Sequence, residues 1–148
     1  MEEQYELELE KKKMEIEYPF EENDLYWSID VDGDLCQDQW NCSGFDKNCC
    51  KLGNAFKTEQ EAEKERDKRI LLTKFRQFRD KCNGYGIPDG YESKYHIIFV
   101  PQRNALEVNW YGSMMPFELF GGFKDERACK RAIELFGDEI KRLYVEEN

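Results

Sequence analysis

Gly53-Asn54-Ala55-Phe56-Lys57-Thr58-Glu59-Gln60-Glu61-Ala62-Glu63 decides how this chain is read, because a weaker copy returns at 120–130 as Phe-Gly-Gly-Phe-Lys-Asp-Glu-Arg-Ala-Cys-Lys. In each copy an aromatic residue closes a strand-like stretch and a lysine follows. A residue suited to cap a helix comes next, Thr58 or Asp125. Two alternating segments precede each copy and one amphipathic helix follows it. An internal repeat sets architecture before any single residue does. The spacing therefore predicts an α+β chain of two tandem β-β-β-α units with antiparallel meander sheets, preceded by an acidic N-terminal helix.

Working outward, Leu25, Trp27, Ile29 and Val31 alternate with Tyr26, Ser28 and Asp30, the pattern of a half-buried strand. Asp32-Gly33 then reads as a two-residue type I′ hairpin turn. A second strand is expected from 34 to 40 and a third from Cys50 to Phe56. Thr58 with Glu61 forms a capping box for a helix whose apolar face is Leu71, Phe75, Phe78 and Cys82. Residues 84–93 hold three Gly and a Pro and read as a linker. In the second unit Tyr95–Val100, Leu106–Tyr111 and Phe117–Phe123 are the strands. Asp125 caps a last helix that packs through Cys129, Ala132 or Ile133, Phe136, Ile140 and Leu143, with Gly137 expected to break or kink it. The domains are then 1–20 (acidic helical leader), 21–83 (first unit), 84–93 (linker) and 94–148 (second unit).

Of 148 residues 40% are apolar, enough for a core, and the net charge is −10. Residues 1–24 carry ten acids against Lys11, Lys12 and Lys13, so seven of the ten excess negative charges sit there. Such a chain repels a phosphate backbone, and direct nucleic-acid binding is disfavoured. Leu7, Leu9, Met14 and Ile16 give the leader a thin apolar seam, so it either docks on the body or pairs with a second copy in a homodimer. No apolar run spans a membrane, and the acidic start is unlike a secretory signal. The six cysteines are expected as free thiols in a reducing cytosol.

Catalytic and metal-binding patterns are weak. Asp30-Val31-Asp32-Gly33-Asp34 fails the calcium-loop pattern, with Leu35 where glycine and Asn41 where glutamate belong. Cys36, Cys42, Cys49 and Cys50 lack the paired spacing of structural zinc sites. His96, the single histidine, stands in a strand, and no nucleophile sits in an organised context. The reading is a non-enzymatic chain without cofactor or metal. The candidate partner-binding residues are the acids Glu6, Glu8, Glu10, Asp30, Asp34 and Asp38, and the aromatics Trp40, Trp110 and Tyr111 at the ends of second strands. For those aromatics, core packing is the competing role. The net-basic stretch Lys68–Lys81 offers a nucleic-acid-binding alternative.

Trp27-Ser28-Ile29 with Asp32-Gly33, the G-N-x-F-x-T-x-x-E-A junction at 53–62 and the Phe123–Cys129 helix entry resemble small accessory proteins of phages and prophages of Gram-positive bacteria. The resemblance covers about residues 25–145. It departs at Cys129, where alanine is usual, and in the cysteine-rich stretch 36–50. It implies no catalytic residues. It implies a setting in the host cytosol where proteins of this size block host defences, anti-CRISPR inhibitors among them. The expected partner is then a host defence protein such as a CRISPR effector, with its basic or nucleic-acid-binding surface blocked.

Overall fold

The computed structural model describes residues 1–13, 15–84, 95–111 and 119–146. Among them it is α+β, with four α-helices and two antiparallel two-stranded sheets. The chain divides into two compact units, Met1–Arg66 and Asp67–Asn148. One long helix, α3 (Glu59–Cys82), opens in the first unit and closes in the second. All but residue 84 of the expected linker lies outside the described residues.

In the first unit α1 (Glu2–Lys13) is followed by a hairpin of β1 (Leu25–Ile29) and β2 (Leu35–Gln39), in the register Trp27↔Gln37 and Ile29↔Leu35. The turn is not the expected type I′. Asp30 N donates to Asp34 O at 2.9 Å, Gly33 N donates to Asp30 O at 3.1 Å, and only Gly33 of the turn has positive φ, at 84°. This is the three-residue loop, a type I turn followed by a left-handed glycine. It spares Asp32 the left-handed conformation that type I′ would impose on a side chain with a Cβ. The Asp30 carboxylate favours it further by accepting from Asp32 N and Asp34 N, both at 2.9 Å.

The strand also buries the face opposite to the expected one. Tyr26 is 0% exposed and Ser28 is buried, whereas Leu25 is 57% exposed. Tyr26 wins because an aromatic cluster receives its ring and a carboxylate receives its hydroxyl. Phe20 and Trp40 stack at 5.3 Å, Tyr26 lies 5.5 Å from Phe20 and 5.8 Å from Trp40, and Tyr18 flanks Trp40. With Cys49, these residues are the core of the unit.

The expected third strand at Cys50–Phe56 is corrected to a helix, α2 (Gly44–Lys51), followed by a bend. Ser43 Oγ accepts from Asp46 N at 3.1 Å and the Asp46 carboxylate accepts from Ser43 N at 3.3 Å, a reciprocal capping box. Asn54 N to Cys49 O (2.7 Å) and Gly53 N to Cys50 O (3.0 Å) close the helix with Gly53 at φ 67°, a Schellman motif. Cys50 is therefore a half-buried helical residue, and Cys49 is the core thiol. What remains of the third strand is one residue: Phe56 exchanges two 2.8 Å hydrogen bonds with Trp27. The Asn54 amide supplies the next rung, accepting from Ile29 N at 3.0 Å and donating to Ile29 O at 2.9 Å. Thr58 Oγ1 then caps α3 by accepting from Glu61 N, as expected.

The second unit repeats this plan. β3 (Tyr95–Val100) and β4 (Ala105–Trp110) pair through a 3₁₀ turn at Pro101–Arg103, with Ile97↔Val108 in register. Of the expected strand Phe117–Phe123, residues 119–123 are described, and they are corrected to a bend and loop that form no strand. What remains of it is a bridge in which Phe123 and Tyr95 exchange bonds of 2.8 and 3.0 Å. A side-chain amide again flanks the bridge, this time from the end of α3. Asn83 Nδ2 donates to Gly122 O and its Oδ1 accepts from Lys124 N, both at 3.0 Å.

Asp125 caps α4 (Glu126–Ile140), whose Cys129, Ala132 and Ile140 enter a core with Leu71, Phe75, Phe123 and Leu143. Gly137 does not break α4. A Cβ there would make ordinary contacts, 3.5 Å from Leu106 Cδ1 and 3.4 Å from Ile133 Cγ2, so α4 runs beside β4 at this point with room for a methyl group. Cys82, expected on the apolar face of α3, is exposed, because the helix reaches its last turn there.

Candidate functional site

The boundary between the units sharpens the charge distribution. Residues 1–66 hold 19 acids against eight bases, and residues 67–148 hold 13 acids against 14 bases. The first unit thus carries −11 and the second +1.

Two acidic surfaces lie on the first unit. Glu6, Glu8 and Glu10 are exposed along α1. At 100° per residue Tyr5 and Leu9 share one side of that helix and Leu7 points to the other, all three exposed. Of the expected seam, Met14 lies outside the described residues and Ile16 lies beyond the end of α1, while Leu7 and Leu9 point to different sides of the helix. The other surface is the hairpin. The carboxylates of Asp30, Asp32 and Asp34 come within 4.8 Å of one another, the one such group of potential metal ligands among the described residues. Backbone N–H groups of Asp34 and Asp32 hold the Asp30 carboxyl below its ordinary pKa, and Cys36 Sγ donates to its second oxygen at 3.5 Å. These bonds account for Asp30 as a turn residue. Asp38 is exposed on β2 opposite Tyr26.

The aromatic candidates separate. Trp40 is 1% exposed, and its indole N–H donates to Cys42 Sγ at 3.2 Å. It belongs to the core and presents no surface to a partner in this structure. Trp110 is 62% exposed at the end of β4. Tyr111 is half-buried and meets the His96 ring edge-on at 4.9 Å. That contact encloses His96, which is 3% exposed. The thiols of Cys49 and Cys50 are pushed up by burial, and that of Cys36 by burial and the bond to Asp30, so all three favour the neutral form.

A polar network that sequence reading missed holds α2 to the hairpin. The Tyr26 hydroxyl donates to Asp46 Oδ1 at 2.6 Å, and Asp46 Oδ2 accepts from Asn41 N at 2.8 Å. Burial pushes the Asp46 carboxyl up, but the bonds from Tyr26, Asn41 and Ser43 overcome this and leave it below its ordinary value. The signal available was Ser43 three residues before Asp46.

The basic half of α3 also has internal work. Arg79 Nη1 donates to Phe120 O at 2.9 Å and its guanidinium pairs with Asp80, while Arg76 Nη2 reaches Leu119 O at 3.4 Å. Lys68 Nζ lies 4.7 Å from the centre of the Tyr144 ring.

No helix among the described residues is long and apolar enough to cross a membrane. Comparison with protein-family models, with curated proteins and with solved structures returns no match.

Proposed function

We propose that this chain is a non-catalytic binding protein whose acidic first unit engages a basic surface of a partner protein. The observation that carries the reading is the division of charge, −11 on residues 1–66 against +1 on the rest. A field of that strength on one unit speeds encounter with a cationic surface and selects against anionic ones. The exposed carboxylates of α1 and of the hairpin are the groups that would make the contact. The phage-protein resemblance favours a host defence protein as the partner, a CRISPR effector foremost, inhibited by occlusion of its nucleic-acid groove. The engagement of Arg76, Arg79 and Lys68 within the second unit weighs against the nucleic-acid-binding alternative.

The test uses the full chain as bait in a host expressing its defence systems. It then compares the captured partner's affinity for the full chain and for a chain beginning at Tyr18. That truncation removes α1 but keeps Tyr18 and Phe20, which belong to the core. Affinity that falls at least tenfold and weakens steeply with salt supports the reading. Undiminished affinity and inhibition without residues 1–17 would remove α1 from it, and undiminished affinity after Asp30, Asp34 and Asp38 are also changed to Asn would overturn it.

A further inference from the structure

β4 has one neighbour, β3, and among the described residues nothing pairs with its other edge. Beside that edge runs a groove of about 420 Å³ lined by Leu106, Glu107 and Val108 on one wall and by Glu126, Lys130, Ile133 and Glu134 on the other. Three consecutive strand residues line it, so the backbone edge itself is a wall. The four α4 residues recur at helical spacing, so one face of α4 is the opposite wall. Leu106, Val108 and Ile133 supply an apolar floor. Trp110, two residues beyond Val108 on the same strand face, extends it as an exposed ring.

We infer that this groove takes an extended peptide segment of a partner protein, which pairs antiparallel with β4 as a third strand. An unpaired edge next to a helix-walled apolar cleft is the geometry in which backbone bonds give affinity and alternate side chains give selectivity. The occupant's chemistry follows from the walls. Residues facing α4 are aliphatic, to meet Leu106, Val108 and Ile133. Residues on the other face are Lys or Arg, because the charged lining is Glu107, Glu126 and Glu134 against Lys130 alone. Those carboxylates are held in exposed pairs with Arg103, Lys130 and Arg131, which an incoming cation can replace or share. The groove lies wholly in the second unit, so the inference stands apart from the acidic surface of the first.

The test titrates the full chain with a fluorescent acetylated hexapeptide amide, Lys-Val-Arg-Ile-Lys-Val, while backbone amides are followed by NMR. Saturable binding with shifts centred on 106–108 is expected. N-methylation of alternate peptide amides along one edge should weaken binding about fivefold for each bond blocked, and along the other edge should change little. Ile133→Glu should weaken it at least tenfold. The exposed double change Glu126→Lys with Glu134→Lys, which leaves the core intact, should weaken it about three- to tenfold at low salt. Indifference to N-methylation, or shifts confined to α1 and the first hairpin, would show charge attraction alone and overturn the inference. So would shifts at 106–108 that grow with protein concentration without peptide, because the occupant would then be a second copy of this chain.

Discussion

Asn54→Ala tests whether one side chain completes the first sheet. The wild-type amide makes two hydrogen bonds to Ile29, at 3.0 and 2.9 Å, in a half-buried setting. Each such bond contributes about 1 kcal/mol net, and partial access of water to Ile29 limits the penalty for leaving its groups unmet. The expected loss is therefore about 2 kcal/mol, which moves a urea midpoint by roughly 1 M at the slopes usual for small domains. Asn54→Asp is the sharper probe. It keeps an acceptor for Ile29 N but turns a second acceptor against Ile29 O, so at neutral pH it should be at least as damaging as alanine. The assay is urea unfolding in a Trp110→Phe background, where fluorescence comes from Trp27 and Trp40 and reports on the first unit. An alanine variant within about 0.5 kcal/mol of wild type, below any single bond's worth, would refute the surrogate-strand account. An aspartate variant more stable than alanine at pH 7 would do the same.

Tyr26→Phe leaves the buried Asp46 Oδ1 without its 2.6 Å donor and should cost about 2 kcal/mol at pH 7. Because Asp46 has a lower pKa folded than unfolded, its stabilisation is complete above the unfolded value of about 4 and is lost as pH falls through the folded one. Urea midpoints from pH 7 to 3 should fall less steeply for Tyr26→Phe than for wild type, and equal slopes would contradict this. Gly121→Ala should lower the melting temperature by roughly 8 °C, since φ is 71° and the new Cβ would lie 2.5 Å from Arg79 Nη1. Adding Arg79→Ala should cost much less than it does alone, and additive losses would count against the clash. Iodoacetamide should modify Cys42 and Cys82 in the native protein well before Cys49 and Cys129; mass spectrometry of early time points that finds the reverse order would contradict the placement of these thiols.

The helix caps were legible because capping is local. Thr58 and Asp125 act where the sequence placed them, and Ser43 with Asp46 was readable by the same rule. The face of β1 was not legible. Tyr26 and Trp27 are both strand-forming aromatics of opposite parity, and the choice between them rests on Phe20, Trp40 and Asp46, which only the fold brings together. The third strands misled because the junction residues do sit beside the sheet, through one bridge and an asparagine side chain. Among candidate sites, the acidic residues could be picked from composition, but Trp40 could not be told from Trp110, since both end a second strand. The groove beside β4 depends on an edge and a helix separated by the residues between 110 and 126, and no local pattern announces it.

Asn83 closes α3 and holds the backbone on both sides of Phe123, and the residue after it is Gly84. Asparagine followed by glycine is the pair most prone to lose ammonia, because the unhindered Gly84 nitrogen can attack the side-chain carbonyl. Here that nitrogen is engaged with Lys81 O and the amide is clamped, so the folded state slows its own chemical ageing. Once the change occurs, the group that donated to Gly122 O becomes a carboxylate facing a carbonyl. The second unit thus carries a clock that runs chiefly when the molecule is open.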